Sequence, residues 1–193
     1  DAAILLSTKH GVVKKTLLEA FNSPRRKGVY AINIDEGDEV ISAHLVRPGQ
    51  QIMLFTKEGM AVRFDQDLIR PIGRVARGVR GVKLKSETDG VVSCEVVKGD
   101  ETLFVVCANG YGKRSNVENF RQTNRGGVGV RSIITSKRNG AVVGALAVGD
   151  KDSVVLMSNT GQTIRMNMQD LRVMGRSTQG VRVVHLRNED ILV

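Results

Sequence analysis

Arginine and lysine stand at fixed distances from glycine throughout this chain of 193 residues. Four positions after Gly11, Gly59, Gly110 and Gly161 come Lys15, Arg63, Arg114 and Arg165. Around Gly78, Gly129 and Gly180 the pattern is denser. Arg70, Arg121 and Arg172 lie eight positions before these glycines, Arg74, Arg125 and Arg176 four before, and Arg80, Arg131 and Arg182 two after. Arg77 adjoins Gly78, and Lys14 and Lys113 stand beside the first set; near Gly28 these phases are unfilled and Arg25, Arg26 and Lys27 precede the glycine directly. A guanidinium holds two phosphate oxygens at once and keeps its charge at any ordinary pH. Cations at one phase of a repeating array occupy the same place on every unit, so together they make a stripe. A stripe of arginine on a curved surface matches the backbone of duplex DNA, which it would hold and bend without reading bases. Gly73, Gly126, Gly127 and Gly175, next to these arginines, would let a sugar-phosphate chain come close. Acidic residues gather elsewhere, at Asp35, Glu36, Asp38, Glu39, Glu87, Asp89, Glu189 and Asp190, which places the two signs on different edges of each unit.

Other chemistry finds no footing. His10, His44 and His185 are far apart, and two cysteines at Cys94 and Cys107 do not make a zinc site by spacing. No nucleophile elbow and no paired catalytic carboxylates occur. The run Gly110-Tyr111-Gly112-Lys113-Arg114-Ser115 departs from a phosphate loop in its glycine spacing and in having Arg114 after the lysine. The chain is therefore expected to catalyse nothing by itself, with no catalytic residue, no metal and no cofactor of its own.

The elements that carry the arginines repeat as well. The turns Lys9-His10-Gly11, Lys57-Glu58-Gly59, Ala108-Asn109-Gly110 and Asn159-Thr160-Gly161 place glycines 48, 51 and 51 residues apart, and the second glycine follows 17 residues later in the first unit and 19 in the others. Before each turn runs an apolar stretch: Ile4–Leu6, Ile52–Phe55, Leu103–Val106, Val154–Met157. Short apolar runs bounded by turns read as strands. Further strands are expected at the alternating Val79–Leu84 and Val181–Leu186 and beginning near Val40, Val91 and Ala141, with only one-turn helices such as Leu17–Phe21 or Val117–Phe120. Roughly four strands in each unit of about 50 residues predict an all-β, propeller-like array of blades, approximately 1–50, 51–100, 101–150 and 151–193. The apolar residue ten positions after each turn glycine (Phe21, Ile69, Phe120, Leu171) is expected to pack between blades.

With 29 Lys and Arg against 20 Asp and Glu, the formal charge is +9. The longest apolar runs are too short to cross a membrane, as in Ala141–Val148 with its internal Gly144, and no secretory leader is visible. The cysteines sit in apolar runs, which reads as buried thiols in a reducing compartment. Opening at Asp1 rather than methionine, the chain reads as an excised piece of a longer polypeptide.

The motifs Ser7–Glu19 (STKHGVVKKTLLE), Glu58–Phe64 (EGMAVRF), Gly78–Leu84 (GVRGVKL), Asn109–Arg114 (NGYGKR), Arg138–Gly144 (RNGAVVG) and Gly175–Val181 (GRSTQGV) are similar to the C-terminal domain of bacterial DNA gyrase A, over essentially the whole chain. The resemblance implies a β-pinwheel whose blades exchange strands, here the last four of the family's usual six. It implies duplex DNA wrapped on the basic rim and handed to the N-terminal cleavage domain of the same polypeptide. Negative supercoiling would then draw on ATP and Mg bound elsewhere, on a gyrase B-like ATPase subunit of a heterotetramer. The setting implied is the bacterial cytoplasm, at the nucleoid. The active-site tyrosine belongs to another domain of such proteins, so neither Tyr30 nor Tyr111 is a candidate.

The sequence departs from the family in two places. The Gln-Arg-Arg-Gly-Gly-Lys-Gly box of the first blade is absent, with partial echoes at Arg25-Arg26-Lys27-Gly28 and Arg125-Gly126-Gly127. This implies a fragment that binds duplex but wraps it less. The last blade is expected to lack part of a strand, since Val193 falls inside the run equivalent to Ala141–Val148. Two other readings stand beside this one: the corresponding C-terminal domain of topoisomerase IV, with the same fold, and a propeller scaffold binding an acidic protein partner.

Overall fold

The computed structural model describes residues 1–23 and 25–193. Among these described residues, fourteen strands and four 3-10 turns follow one another in a repeating order. The first repeat gives β1 (Ala3–Thr8), β2 (Val12–Leu17) and β3 (Val40–Val46); the second gives β4 (Gln51–Thr56), β5 (Met60–Asp65), β6 (Val79–Arg80) and β7 (Val91–Val97). The third gives β8 (Thr102–Cys107), β9 (Tyr111–Asn116), β10 (Val130–Arg131) and β11 (Val142–Val148), and the fourth β12 (Ser153–Met157), β13 (Thr163–Asn167) and β14 (Val181–Arg182). The 3-10 turns Leu18–Phe21, Gln66–Leu68, Val117–Asn119 and Met168–Asp170 follow the second strand of each hairpin.

Three sheets are four-stranded, in the orders β3-β1-β2-β6, β7-β4-β5-β10 and β11-β8-β9-β14, and β12-β13 forms a two-stranded sheet. The outermost strand of each larger sheet thus comes from the next repeat, so a repeat and a blade are different stretches of chain. All these pairings are antiparallel. At the opposite edge, β3 lies against β7 and β7 against β11, which marks where the blades converge.

Side-chain alternation along each central strand explains why its sequence is apolar throughout. Successive residues of a strand point to opposite faces. Ile52 and Leu54 therefore pack toward the first blade with Leu5 and Val13, while Met53 and Phe55 pack toward the third with Leu103 and Val105. Phe104 and Val106 carry the pattern on to Val154 and Leu156. Both faces of an inner blade are buried, so no polar alternation survives. The expected plugs hold for Ile69, Phe120 and Leu171, which are buried, with Phe120 edge-on to Phe55 at 6.3 Å between ring centroids; Phe21 is only half-buried.

The hairpin tips are equivalent. Gly11, Gly59, Gly110 and Gly161 take φ between +84° and +88°, a region that costs a residue without Cβ nothing. The carbonyl of each inner tip accepts two N–H groups from the next repeat: Gly81 and Val82 on Gly11, Ser132 and Ile133 on Gly59, Val183 and Val184 on Gly110. The tip is also where the acidic residues go. Asp38 accepts the His10 N–H at 2.9 Å, Asp89 the Glu58 N–H at 3.0 Å, and Asp190 the Thr160 hydroxyl at 2.6 Å. Burial pushes the Asp38 carboxyl up, but the Thr8 hydroxyl and the N–H groups of His10 and Glu39 outweigh it and leave its pKa lowered.

Candidate nucleic-acid interface

The outermost strands present the first set of cations. Arg80 on β6, Arg131 on β10 and Arg182 on β14 are exposed on the edge opposite the converging strands. Each faces the first residue or two of the neighbouring hairpin strand: Arg80 opposite Val12, Arg131 opposite Met60, Arg182 opposite Tyr111.

The loops leading into these strands carry the second set. Arg125 donates from Nε to the Leu68 carbonyl at 2.9 Å and from Nη1 to the Arg80 carbonyl at 3.1 Å. Arg176 repeats the arrangement on Asn119 and Arg131, at 3.0 and 3.1 Å. Arg74 reaches the Tyr30 carbonyl at 3.2 Å. These half-buried guanidinium groups therefore staple one repeat to the one before it while holding charge at the outer edge. Arg70, Arg77, Arg121 and Arg172 are exposed beside them, as are Arg25, Arg26 and Lys27. Among the described residues, of these rim cations only Arg77 has a carboxylate within ion-pair distance, Asp35 at 2.9 Å.

The glycine-plus-four set corrects the sequence expectation of an exposed stripe. Lys15 and Arg114 are buried and Arg63 half-buried, because each crosses to the next repeat and donates to the carbonyl that opens its 3-10 turn. Lys15 Nζ meets the Gln66 carbonyl at 2.9 Å, Arg63 Nη1 the Val117 carbonyl at 3.1 Å and Arg114 Nη1 the Met168 carbonyl at 3.0 Å. Only Arg165, in the last hairpin, is exposed, with its Nε on the Ser153 hydroxyl at 2.9 Å. Lys14 and Lys113 are fully buried as well. Lys14 Nζ donates to the carbonyls of Ala31 and Arg74 at 2.5 and 2.6 Å, and Lys113 Nζ to those of Gly175 and Arg176. Burial, with the nearby Arg74 or Arg176 charge, pulls each lysine down from 10.5 to about 8. A cation already enclosed by carbonyls offers no face to a phosphate, so Lys14, Lys15, Lys113 and Arg114 support the rim from within.

Two residues outside the repeating phases join the outer edge. Tyr111 lies under two guanidinium groups, Arg138 at 4.8 Å and Arg182 at 5.1 Å from its ring centroid, and its hydroxyl accepts from Arg182 Nη2 at 2.6 Å. The Arg138 side of this stack has a sequence signal only in the aromatic Tyr111, which replaces Val12, Met60 and Gln162 of the other repeats. A Cβ at Gly73 or Gly175 would meet nothing within 4 Å, so packing inside the chain does not require these two glycines.

No group of three or more His, Cys, Asp and Glu residues suited to a metal occurs among the described residues. Cys94 and Cys107 are free and buried, and burial pushes their thiols up to about 12 and about 11. No helix among the described residues is long and apolar enough to cross a membrane.

Comparison with known proteins follows the same repeat. The family model described as the DNA gyrase C-terminal domain, beta-propeller, matches residues 2–47, 50–98, 101–148 and 152–193. The DNA gyrase A polypeptide of Chlamydia pneumoniae is 61% identical over 191 residues, covering 98% of this chain; the chain spans 23% of that relative's length. A solved DNA gyrase A C-terminal domain superposes with a TM-score of 0.88 at 32% identity, over 100% of this chain and 64% of that one. The C-terminal domain of DNA topoisomerase IV superposes with a TM-score of 0.92 at 27% identity, over 98% of this chain and 60% of that one.

Proposed function

Because this chain belongs to the DNA gyrase C-terminal domain family, we propose that it binds duplex DNA along its outer edge, without reading sequence, and bends it for a type IIA topoisomerase. One observation carries the reading: Arg70, Arg74, Arg80, Arg121, Arg125, Arg131, Arg172, Arg176 and Arg182 recur at constant phase with no carboxylate partner among the described residues. Arg165 and the exposed Arg25, Arg26 and Lys27 extend the field, and Arg77 joins it when Asp35 lets go. Each phosphate neutralised releases condensed counterion, which supplies affinity independent of base identity.

Bending follows from the placement of these charges on successive blades. A duplex that touches several blades must follow their curve, and smooth bending of a 20–30 bp site by 40–90° costs about 1–6 kcal/mol. Phosphate contacts repeated from blade to blade offset that cost. The chain itself performs no bond chemistry in this reading. Strand cleavage belongs to an N-terminal domain of the same polypeptide and ATP hydrolysis to a gyrase B-like partner, in the bacterial cytoplasm at the nucleoid.

The test is duplex affinity across a salt series for two unrelated sequences, with Arg80, Arg131 and Arg182 changed together to Ala. Both sequences are expected to bind alike, and the variant to lose about three units of salt slope. Unchanged affinity, or a strong preference for one sequence, overturns the reading. A preference for polyanionic protein over duplex would favour the scaffold instead. In a relaxation assay the chain is expected to bind at low salt while constraining little writhe.

A further inference from the structure

The acidic turns sit at one end of the blades. In each of the first three repeats the turn before the inner strand meets the hairpin tip, because Thr8 pairs with Val40, Thr56 with Val91 and Cys107 with Val142. Tips and turns therefore share one face of the array. In the first repeat that face carries Asp35, Glu36, Asp38 and Glu39 against Lys9, and in the second Glu58, Glu87 and Asp89 against Lys57 and Lys85. The fourth sets Glu189 and Asp190 against Arg187. The third breaks the series. Its turn, Ser136-Lys137-Arg138-Asn139-Gly140, has two cations and no acid, and its tip residues Ala108 and Asn109 are neutral. Arg138 stands 51 positions after Glu87, which itself stands 51 after Glu36.

Hydrogen bonding explains how the third turn does without a carboxylate. The tip N–H that Asp38 or Asp89 accepts in the first two repeats goes here to a backbone acceptor, Asn109 N–H donating to the Asn139 carbonyl at 3.0 Å. The Asn139 side chain is fully buried. Its amide donates to the carbonyls of Ile134 and Gln179 at 2.7 and 3.1 Å and accepts the Ser136 N–H at 2.7 Å. Asn109 Nδ2 donates to the carbonyls of Lys137 and Arg138 at 3.1 and 3.2 Å. Neutral groups thus fix the turn. Lys137 and Arg138 are exposed, with no carboxylate within ion-pair distance among the described residues.

Tyr111 joins this turn to the outer edge. Arg182, on the outermost strand β14, turns Nε and Nη2 toward the phenol oxygen, at 3.3 and 2.6 Å. Arg138 covers the same ring from the turn, so the two guanidinium carbons lie 5.1 and 4.8 Å from one centroid. Two like charges are held together on a neutral ring, and an anion is what the pair lacks.

We infer that duplex DNA leaves the outer edge over the third hairpin tip, its phosphate backbone passing from Arg182 to Arg138 and Lys137 onto the tip face. This rests on the proposed binding of duplex along the outer edge. Acid at the first, second and fourth tips repels phosphate and keeps the duplex on the edge there. Salt limits each such effect to about 8–10 Å, so the sign of the barrier is set tip by tip. The occupant is duplex because Arg182 belongs both to the edge series and to this cluster, which makes the positive surface continuous. The third tip lies between the second and the fourth, so its surroundings are those of an inner blade.

Tyr111 is a built-in reporter, since the chain has two tyrosines and no tryptophan. In a Tyr30→Phe background labelled with carbon-13 at tyrosine Cζ, one phenol signal remains. Mixed-sequence duplex is expected to shift that signal in step with the binding curve measured by anisotropy. Arg138→Glu restores the sign found in the first two repeats. It is expected to weaken duplex binding about tenfold and to lower the salt slope by about one unit, with an unfolding midpoint close to the parent's. Arg138→Gln is expected to lose the same slope with a smaller loss of affinity. Lys98→Glu makes the same change of charge at the opposite end of the strands and is expected to weaken binding about twofold or less. A Tyr111 signal that stays in place while duplex binds, or Arg138→Glu binding like Lys98→Glu, overturns the inference and leaves the outer-edge reading standing. Poly-glutamate moving the signal at lower concentration than duplex would make the occupant an acidic protein and overturn it as well. A parent chain that binds no duplex removes both readings.

Discussion

The guanidinium of Arg114 donates to the carbonyl oxygen of Met168 at 3.0 Å, across the seam between the third and fourth hairpins, with 3% of its side chain exposed. Its Nη2 lies 2.7 Å from Asp150 and its Nε 2.6 Å from the Thr102 hydroxyl. An arginine that would be a surface charge on an isolated hairpin is here a bolt through an internal joint.

Arg114→Met is therefore expected to lower stability by about 2–4 kcal/mol, since it strands buried acceptors. Arg165→Met, at the same phase but exposed, is expected to change stability by about 0.5 kcal/mol or less. Urea unfolding of both variants makes the comparison. Equal effects would mean the crossing contact adds nothing.

Two rim arginines of one repeat should separate binding from support. Arg131→Ala removes an exposed charge and is expected to reduce the salt slope by about one unit with an unchanged unfolding midpoint. Arg125→Ala also removes two bonds to the preceding repeat, so it is expected to cost about 1–2 kcal/mol of stability in addition. Salt-series binding and thermal melts on both variants decide this.

The glycines divide in the same way. Gly129→Ala would drive a Cβ into the backbone of Ala61 at positive φ, and is expected to cost about 3 kcal/mol or more. Gly175→Ala meets open space and is expected to leave the unfolding midpoint in place while weakening duplex binding by about fivefold, or ~1 kcal/mol. Full affinity in Gly175→Ala would show that no sugar-phosphate chain comes close there.

Lys14 and Lys113 give the fold a measurable pH dependence. Their pKa values fall from 10.5 to about 8 on folding, so between these limits the unfolded chain carries more protons than the folded one. Stability from these two groups therefore rises with pH across that window and is lowest below about 8, where both are charged in either state. Carbon-13 labelling at lysine Cε is expected to show two side chains titrating near 8. All lysines titrating above 10 would remove this account.

The repeat is legible because turn glycines obey a backbone constraint that sequence records directly. Gly11, Gly59, Gly110 and Gly161 all adopt positive φ, and the apolar runs before them become the central strands. The fate of individual cations is not legible. Lys15, Arg63, Arg114 and Arg165 share one phase, yet burial depends on whether another repeat lies in front, and only Arg165 stays exposed. The buried Lys14 and Lys113 read as surface charges because their acceptors include carbonyls of a loop some sixty residues away, 60 positions for Arg74 and 63 for Arg176. Carbonyls leave no trace in residue type. Membership of the outermost strands in the preceding sheet comes only with the family resemblance, since two-residue pairings such as Val130 with Ala61 have no periodicity to read.

That lent strand also governs how the molecule carries tension. Arg131 belongs to the third repeat by sequence, but its strand is hydrogen-bonded to Met60 and Ala61 of the second. An outward tug at Arg131 is thus shared between the sheet it pairs with and the peptide chain that runs on into the third blade. The blades overlap like roof shingles, each pinned by its neighbour, so a stiff polymer straining to straighten against the edge would meet several blades in series rather than peel one away.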